Sequence, residues 1–98
     1  MLKIVSADKN NISLNTSKMI DILINPKHIQ MVYTQDANEI EDINVYISID
    51  GFSQLMTFKC LKSSVDQVLE AIQHAVEDKL GSVQLNIDDK GNASYNYI

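Results

Sequence analysis

The chain has no arginine and no tryptophan, and its 98 residues hold one cysteine, one proline and three glycines. Each shortage excludes something. Without arginine there is no forked guanidinium to read guanine or clamp a phosphate through two bonds. A formal net charge of -5 adds a field that repels a polyanion, so nucleic acid is not an expected partner. The lone Cys60 cannot form an internal disulfide, which fits a reducing compartment and a cytoplasmic address. No apolar run approaches the roughly 18 residues that span a bilayer, and the opening MLKIVSADKN lacks the pattern of a signal peptide. Neither membrane insertion nor export is expected. Gly51, Gly81 and Gly91 each have a turn or a helix end to occupy, which leaves none for a phosphate-cradling loop.

What is present is ordinary for a globular protein: 45% hydrophobic and 21% charged residues. The length suits one domain over residues 1–98, with a core that needs no staples. Ile, Asn and Lys are abundant where Arg is missing, the signature of AT-rich coding in many bacteria and phages.

Period-two alternation dominates. LKIVSA and ISLNT read as two short strands around the polar DKNN. KMIDILI is apolar on both faces except for Asp21, which suits one strand covered on both sides or lying in a subunit contact. Asn25-Pro26 ends it, because proline cannot donate to a ladder and Asn-Pro favours a turn. Beyond this corner Ile29, Met31 and Tyr33 alternate with Gln30, Val32 and Thr34, with Val32 expected to face outward.

INVYISIDGFSQLMTFKC reads as a hairpin about a two-residue Asp50-Gly51 turn. That register sets Ile49 against Phe52, Ile47 against Gln54, Val45 against Met56 and Ile43 against Phe58, with Cys60 continuing the inward face. Tyr46 and Leu55 point outward. The tail SVQLNIDDKGNASYNYI is a second hairpin. A three-residue Asp89-Lys90-Gly91 loop puts Val83, Leu85 and Ile87 on one face with Ala93, Tyr95 and Tyr97, and Gly91 at the left-handed position.

Between the hairpins lies the one helix. Val65, Val68, Leu69, Ile72, Val76 and Leu80 form its apolar stripe. Ser64 with Gln67, or Ser63 with Asp66, would cap its start, and Gly81 would end it. His74 falls opposite the stripe and is expected in solvent.

Candidate chemistry is sparse. His28 sits at the corner with no second histidine or cysteine at ligand spacing. Cys60 faces inward, where thiols are inert. Ser63 and Ser64 serve as caps, and no nucleophile elbow surrounds them. The acidic run Asp36, Glu39, Glu41 and Asp42 lacks the spacing and the glycine of a calcium loop. It reads as a solvated connector, or as a docking patch for a basic partner. No metal, cofactor or catalytic residue is expected.

Residues 23–76 carry a further pattern. LINPKHIQMV, VYISIDG and MTFKCLKSSVDQVLEAI resemble the short flagellar FlbD/SwrD-like bacterial proteins. The matching positions are Leu23, Asn25, Pro26, Ile29, Val45, Ile47, Gly51, Ser64, Val65, Val68 and Ile72, over a little more than half of the chain. The resemblance implies a non-enzymatic cytoplasmic motility accessory that acts through protein contacts.

The expected fold is α+β: a mainly antiparallel sheet of about six or seven strands with one amphipathic helix packed on it. One helix covers only part of such a sheet, so the apolar remainder predicts a homo-oligomer, most simply a two-fold dimer. The expected function is a small protein-interaction module without catalysis. Asp36, Glu39, Glu41, Asp42, Tyr46 and Leu55 are its candidate contact residues. The alternative is an acidic inhibitor from a phage or mobile element that blocks a basic host site.

Overall fold

Alternating side chains bury one face of a strand, and here they build two sheets around one core. The computed structural model describes residues 1–49, 54–77 and 81–98. Among these residues nine strands are present: β1 (Leu2–Ser6), β2 (Ile12–Leu14), β3 (Ser17–Met19), β4 (Asp21–Ile24), β5 (Ile29–Asp36), β6 (Asp42–Ile49), β7 (Gln54–Leu61), β8 (Val83–Ile87) and β9 (Ala93–Tyr97). One helix, α1 (Val65–Glu77), lies between β7 and β8 in the chain. The class is α+β, but the strands divide into a four-stranded sheet, order β4-β1-β8-β9, and a five-stranded sheet, order β3-β2-β7-β6-β5. Among the described residues no helix is long and apolar enough to cross a membrane.

The division explains the doubly apolar KMIDILI. It is not one strand. β3 belongs to the larger sheet and β4 to the smaller, and Ile20, 59% exposed, marks the crossing. Likewise β1 and β2, adjacent in sequence, lie in different sheets. β1 pairs antiparallel with β4 and parallel with β8, from Leu2 opposite Val83 to Ser6 opposite Ile87. Leu2, Ile4, Val83 and Leu85 are fully buried there.

In the β6–β7 pair Ile49 opposes Gln54, Ile47 opposes Met56, Val45 opposes Phe58 and Ile43 opposes Cys60. This register sits two residues from the expected one, so residues 50–53 separate the paired ends. The Asp50-Gly51 turn and Phe52 lie outside the described residues. A shift of two leaves every side chain on its own face, and Val45, Ile47, Met56, Phe58 and Cys60 are all buried as expected. β5 behaves otherwise. A bulge between Ile29 and Met31 inserts one residue against β6. That odd step turns Val32 to the core and Met31 and Tyr33 outward, the reverse of the simple alternation.

The C-terminal hairpin has the expected register, with Val83 opposite Tyr97, Leu85 opposite Tyr95 and Ile87 opposite Ala93. Gly91 is left-handed at φ +90, and its N–H donates to the Asp88 carbonyl at 3.1 Å. The Asp88 carboxylate accepts from the backbone N–H groups of Asn92 (2.8 Å) and Lys90 (2.9 Å). Asn92 foremost, then the other turn amides, hold that carboxyl below its ordinary pKa.

The helix starts through a 3₁₀ turn, Lys62–Ser64. Ser64 is buried, and its Oγ accepts from Ala93 N at 3.1 Å, so it ties the helix start to β9. Of the expected stripe, Val68 and Ile72 are buried in the common core, joined there by Ala71 and Ala75, and Val65 is partly buried. Leu69 and Val76 are exposed instead, so the buried face is rotated towards the alanines. Gly81 has the left-handed φ, +91, expected of a helix terminator, while Leu80 lies outside the described residues.

Two asparagines do the work of missing strand residues. β2 is short, and only Ser13 and Leu14 pair with β7. Past one end, the Asn11 side-chain amide accepts from Lys59 N at 2.8 Å and donates to Lys59 O at 3.0 Å. Past the other, Asn15 Oδ1 accepts from Leu55 N at 3.1 Å while Asn15 N donates to Leu55 O at 2.8 Å. Asn15 is left-handed at φ 55, which asparagine tolerates better than most residues. The outer edge of β7 is thereby covered well beyond β2.

The two sheets are stitched where Leu61 N donates to Gly91 O at 2.9 Å. A Cβ at position 91 would stand 3.3 Å from Leu61 Cγ and Leu61 N, besides straining the left-handed backbone. Gly91→Ala is therefore expected to cost at least about 1–2 kcal/mol, measurable by urea unfolding. An unchanged midpoint would show that this turn does not hold the sheets together.

Candidate functional site

The outer face of the five-stranded sheet collects the side chains that the core leaves over. Tyr33 on β5 and Tyr46 on β6 are direct cross-strand partners, and their rings stack 4.8 Å apart at 10°. Such a pair adds about 0.5–1.5 kcal/mol beyond its buried area. Met31, 55% exposed, stands beside Tyr33 on the same face. Leu55, half-buried, lies two strands away, opposite Ser48. Of the expected contact residues, Tyr46 and Leu55 belong to this face. Met31 and Tyr33 were hidden from sequence reasoning by the bulge; the signal that points to them is Tyr46, an outward aromatic needing a cross-strand partner.

The acidic residues are arranged differently from a free patch. Asp36 closes β5 and Asp42 opens β6, which leaves a short 37–41 connection. Asp36 Oδ1 lies 3.2 Å from Lys62 Nζ, and Glu39 Oε2 lies 3.3 Å from Lys59 Nζ. The Glu41 carbonyl accepts from Lys62 N at 2.8 Å, anchoring the loop. These ion pairs are exposed and each is worth at most about 1 kcal/mol. They nonetheless answer two of the four acidic charges with the chain's own lysines. At the tip stands Ile40, 88% exposed, a residue that the charge pattern alone passes over.

Beside the tyrosine stack the same face holds an open hollow of about 430 Å3, lined by Asn11, Ser13, Lys18, Asn44, Thr57 and Lys59 among others. Within it Lys18 Nζ donates to Ser13 Oγ at 3.0 Å, and the Asn11 side chain is bonded to the Lys59 backbone as described. No aromatic ring lines it besides the buried Phe58. Among the described residues no group of three or more His, Cys, Asp or Glu is placed to hold a metal ion.

His28 is exposed at the end of a 3₁₀ turn, Pro26–His28, which Asn25 caps by accepting from Lys27 N at 3.1 Å. It is a corner. His74 departs from expectation. Rather than facing solvent, it is half-buried against β9, with Nδ1 hydrogen-bonded to the Tyr97 hydroxyl and its ring edge-on to Tyr95 at 5.6 Å. Glu70 Oε1 lies 3.9 Å from its Nε2. Partial burial, and then the hydrogen bond to Glu70, raise the Tyr95 hydroxyl above its ordinary pKa. This is an acid–imidazole–phenol line along the helix–β9 seam. It docks the helix on β9.

Comparison with protein-family models, with curated proteins and with solved structures gives no match. The flagellar likeness rests on the quoted residues alone.

Cys60 is 1% exposed, and burial, with the nearby Asp42 carboxylate adding to it, pushes its thiol up to about 11 from 9.0. The folded chain therefore keeps its thiol proton where the unfolded chain has released it. The thiol leaves stability unaffected below pH 9 and lowers it as pH rises from 9 towards 11, by on the order of 2–3 kcal/mol. Urea melts across that range are expected to decline more steeply for the natural chain than for Cys60→Ala, in which every other titration is retained. Parallel declines would acquit the thiol.

Proposed function

We propose that this chain is a non-enzymatic protein-interaction module that binds through the outer face of its β5–β6 hairpin. The observation that carries this reading is the Tyr33–Tyr46 stack with Met31 exposed beside it, on a sheet face that no helix covers. Large aromatic side chains with little conformational freedom are what protein interfaces use as anchors. Ile40 at the hairpin tip extends the apolar surface, and Glu41 and Asp42 supply a polar rim. A cytoplasmic address suits a chain with one buried, unpaired cysteine. The likeness of residues 23–76 to flagellar FlbD/SwrD-like proteins points the same way, towards an accessory that works by contact.

The acidic-inhibitor reading draws less support, because Asp36 and Glu39 already have lysine partners. A photo-crosslinking residue at Tyr33, compared with one at Asn96 on the smaller sheet, tests the proposal in cells that express the chain. Adducts are expected from position 33 and not from 96, and they should disappear when Met31→Lys is added without loss of folding. Equal labelling from both positions, or none from 33, overturns the reading.

A further inference from the structure

We infer that the partner at this site is a second copy of the chain, joined edge to edge through antiparallel pairing of β5 with β5 about Val32. The inference rests on the proposed interaction hairpin and names what pairs with its free edge, beside the tyrosine face.

Four strands stand at sheet edges: β4, β9, β3 and β5. An unpaired edge invites association unless it is short, charged, proline-bearing or covered. β3 has three residues and carries Lys18; β4 has four and carries Asp21. β9 has five residues, and α1 lies across it and β8 on the face of the sheet, so its edge is short rather than covered. β5 is the exception, with eight residues, IQMVYTQD, whose one charge, Asp36, comes last. Its bulge falls at the first residues and leaves Met31 to Asp36 in regular register with β6.

A two-fold axis perpendicular to the sheet continues the sheet and keeps outer faces on one side. Opposed residues must then share a face, so only registers that pair odd with odd and even with even are allowed. Centred on Val32, that rule opposes Met31 to the partner's Tyr33, and Tyr33 to the partner's Met31. The thioether would meet the ring twice by symmetry. Val32 meets its own copy on the inner face, and Gln30 meets Thr34. Exposed Lys27 precedes the strand in its 3₁₀ turn, and exposed Asp36 closes it. Antiparallel pairing thus brings Lys27 of one copy to the end where the other's Asp36 bonds its own Lys62. Charge neither opposes nor drives the pairing. Centring on Tyr33 instead would oppose Met31 to Gln35 and lose the Met–Tyr contact.

Light scattering on a sizing column tests both the pairing and its register. The natural chain is expected at twice its 11.0 kDa mass as concentration rises to about 1 mM. M31K/Y33K, which opposes like charges twice, should run as a monomer. M31K/Y33E, which opposes unlike charges only if residue 31 faces residue 33, should stay dimeric. A monomeric natural chain at that concentration overturns the inference, as does dissociation of both variants or of neither. Should M31K/Y33K fail to fold, amide exchange in the natural chain decides. β5 amides are expected to gain protection with concentration, and flat protection overturns the pairing. A Tyr33 adduct to a different protein, with the chain itself monomeric, would sink self-pairing but leave the interaction reading standing.

Discussion

The parallel pairing of β1 with β8 is the contact on which the other elements depend. It joins Leu2–Ser6 to Val83–Ile87, the two ends of the chain, in five consecutive residue pairs. β4 hangs on one side of β1 and β9 on the other side of β8. Without this pairing the four-stranded sheet falls into two isolated hairpin-like pieces, and such pieces are marginal alone. The helix depends on it too, since α1 lies against β8 and β9 and buries Val68, Ala71, Ile72 and Ala75 in the shared core. A contact between residues some eighty positions apart is costly to close. It is held by side chains that are completely buried: Leu2, Ile4, Val83 and Leu85.

How far the fold could be read from the residues turns on parity. The C-terminal hairpin was legible in full because Gly91 had one conformationally natural place, and that place dictates the loop length. The β6–β7 register was not, since four residues separate the paired ends where Asp50-Gly51 suggests two. Yet the error was even, so the inward faces of Val45, Ile47, Phe58 and Cys60 came out right. At β5 the error was odd. One bulged residue, invisible in the spacing of apolar side chains, exchanged Val32 with Met31 and Tyr33. KMIDILI failed for a different reason: a run that is apolar on both faces fits a strand buried twice over and equally fits a chain changing sheets. His74 was misplaced because a helical wheel knows its own helix and not the Tyr97 that a later strand brings to it.

The same distinction governs the candidate site. Tyr46 and Leu55 were legible as outward residues because they sit in a hairpin whose faces parity protects. Met31 and Tyr33, their neighbours on the same face, required the bulge. The acidic run was legible as exposed, but the lysines that answer it, Lys59 and Lys62, come from β7 and the turn after it, about twenty residues on. Charge patterns read along a chain say which residues meet water; only tertiary structure says which meet each other.

Three titratable groups help to hold the molecule together. Cys60 is buried and keeps its proton, Asp88 is bonded by turn amides, and His74 is engaged with Tyr97 on the helix–β9 seam. The side chains of Asn11 and Asn15 are committed too, to the stretches of β7 that β2 does not reach. Covering that edge with two amides while β5 is left bare is an asymmetry within one sheet. It concentrates the unsatisfied backbone of the five-stranded sheet beside its most aromatic surface, the Tyr33–Tyr46 stack. A strand edge supplies directional hydrogen bonds and an adjoining aromatic face supplies area; recognition by strand addition uses both.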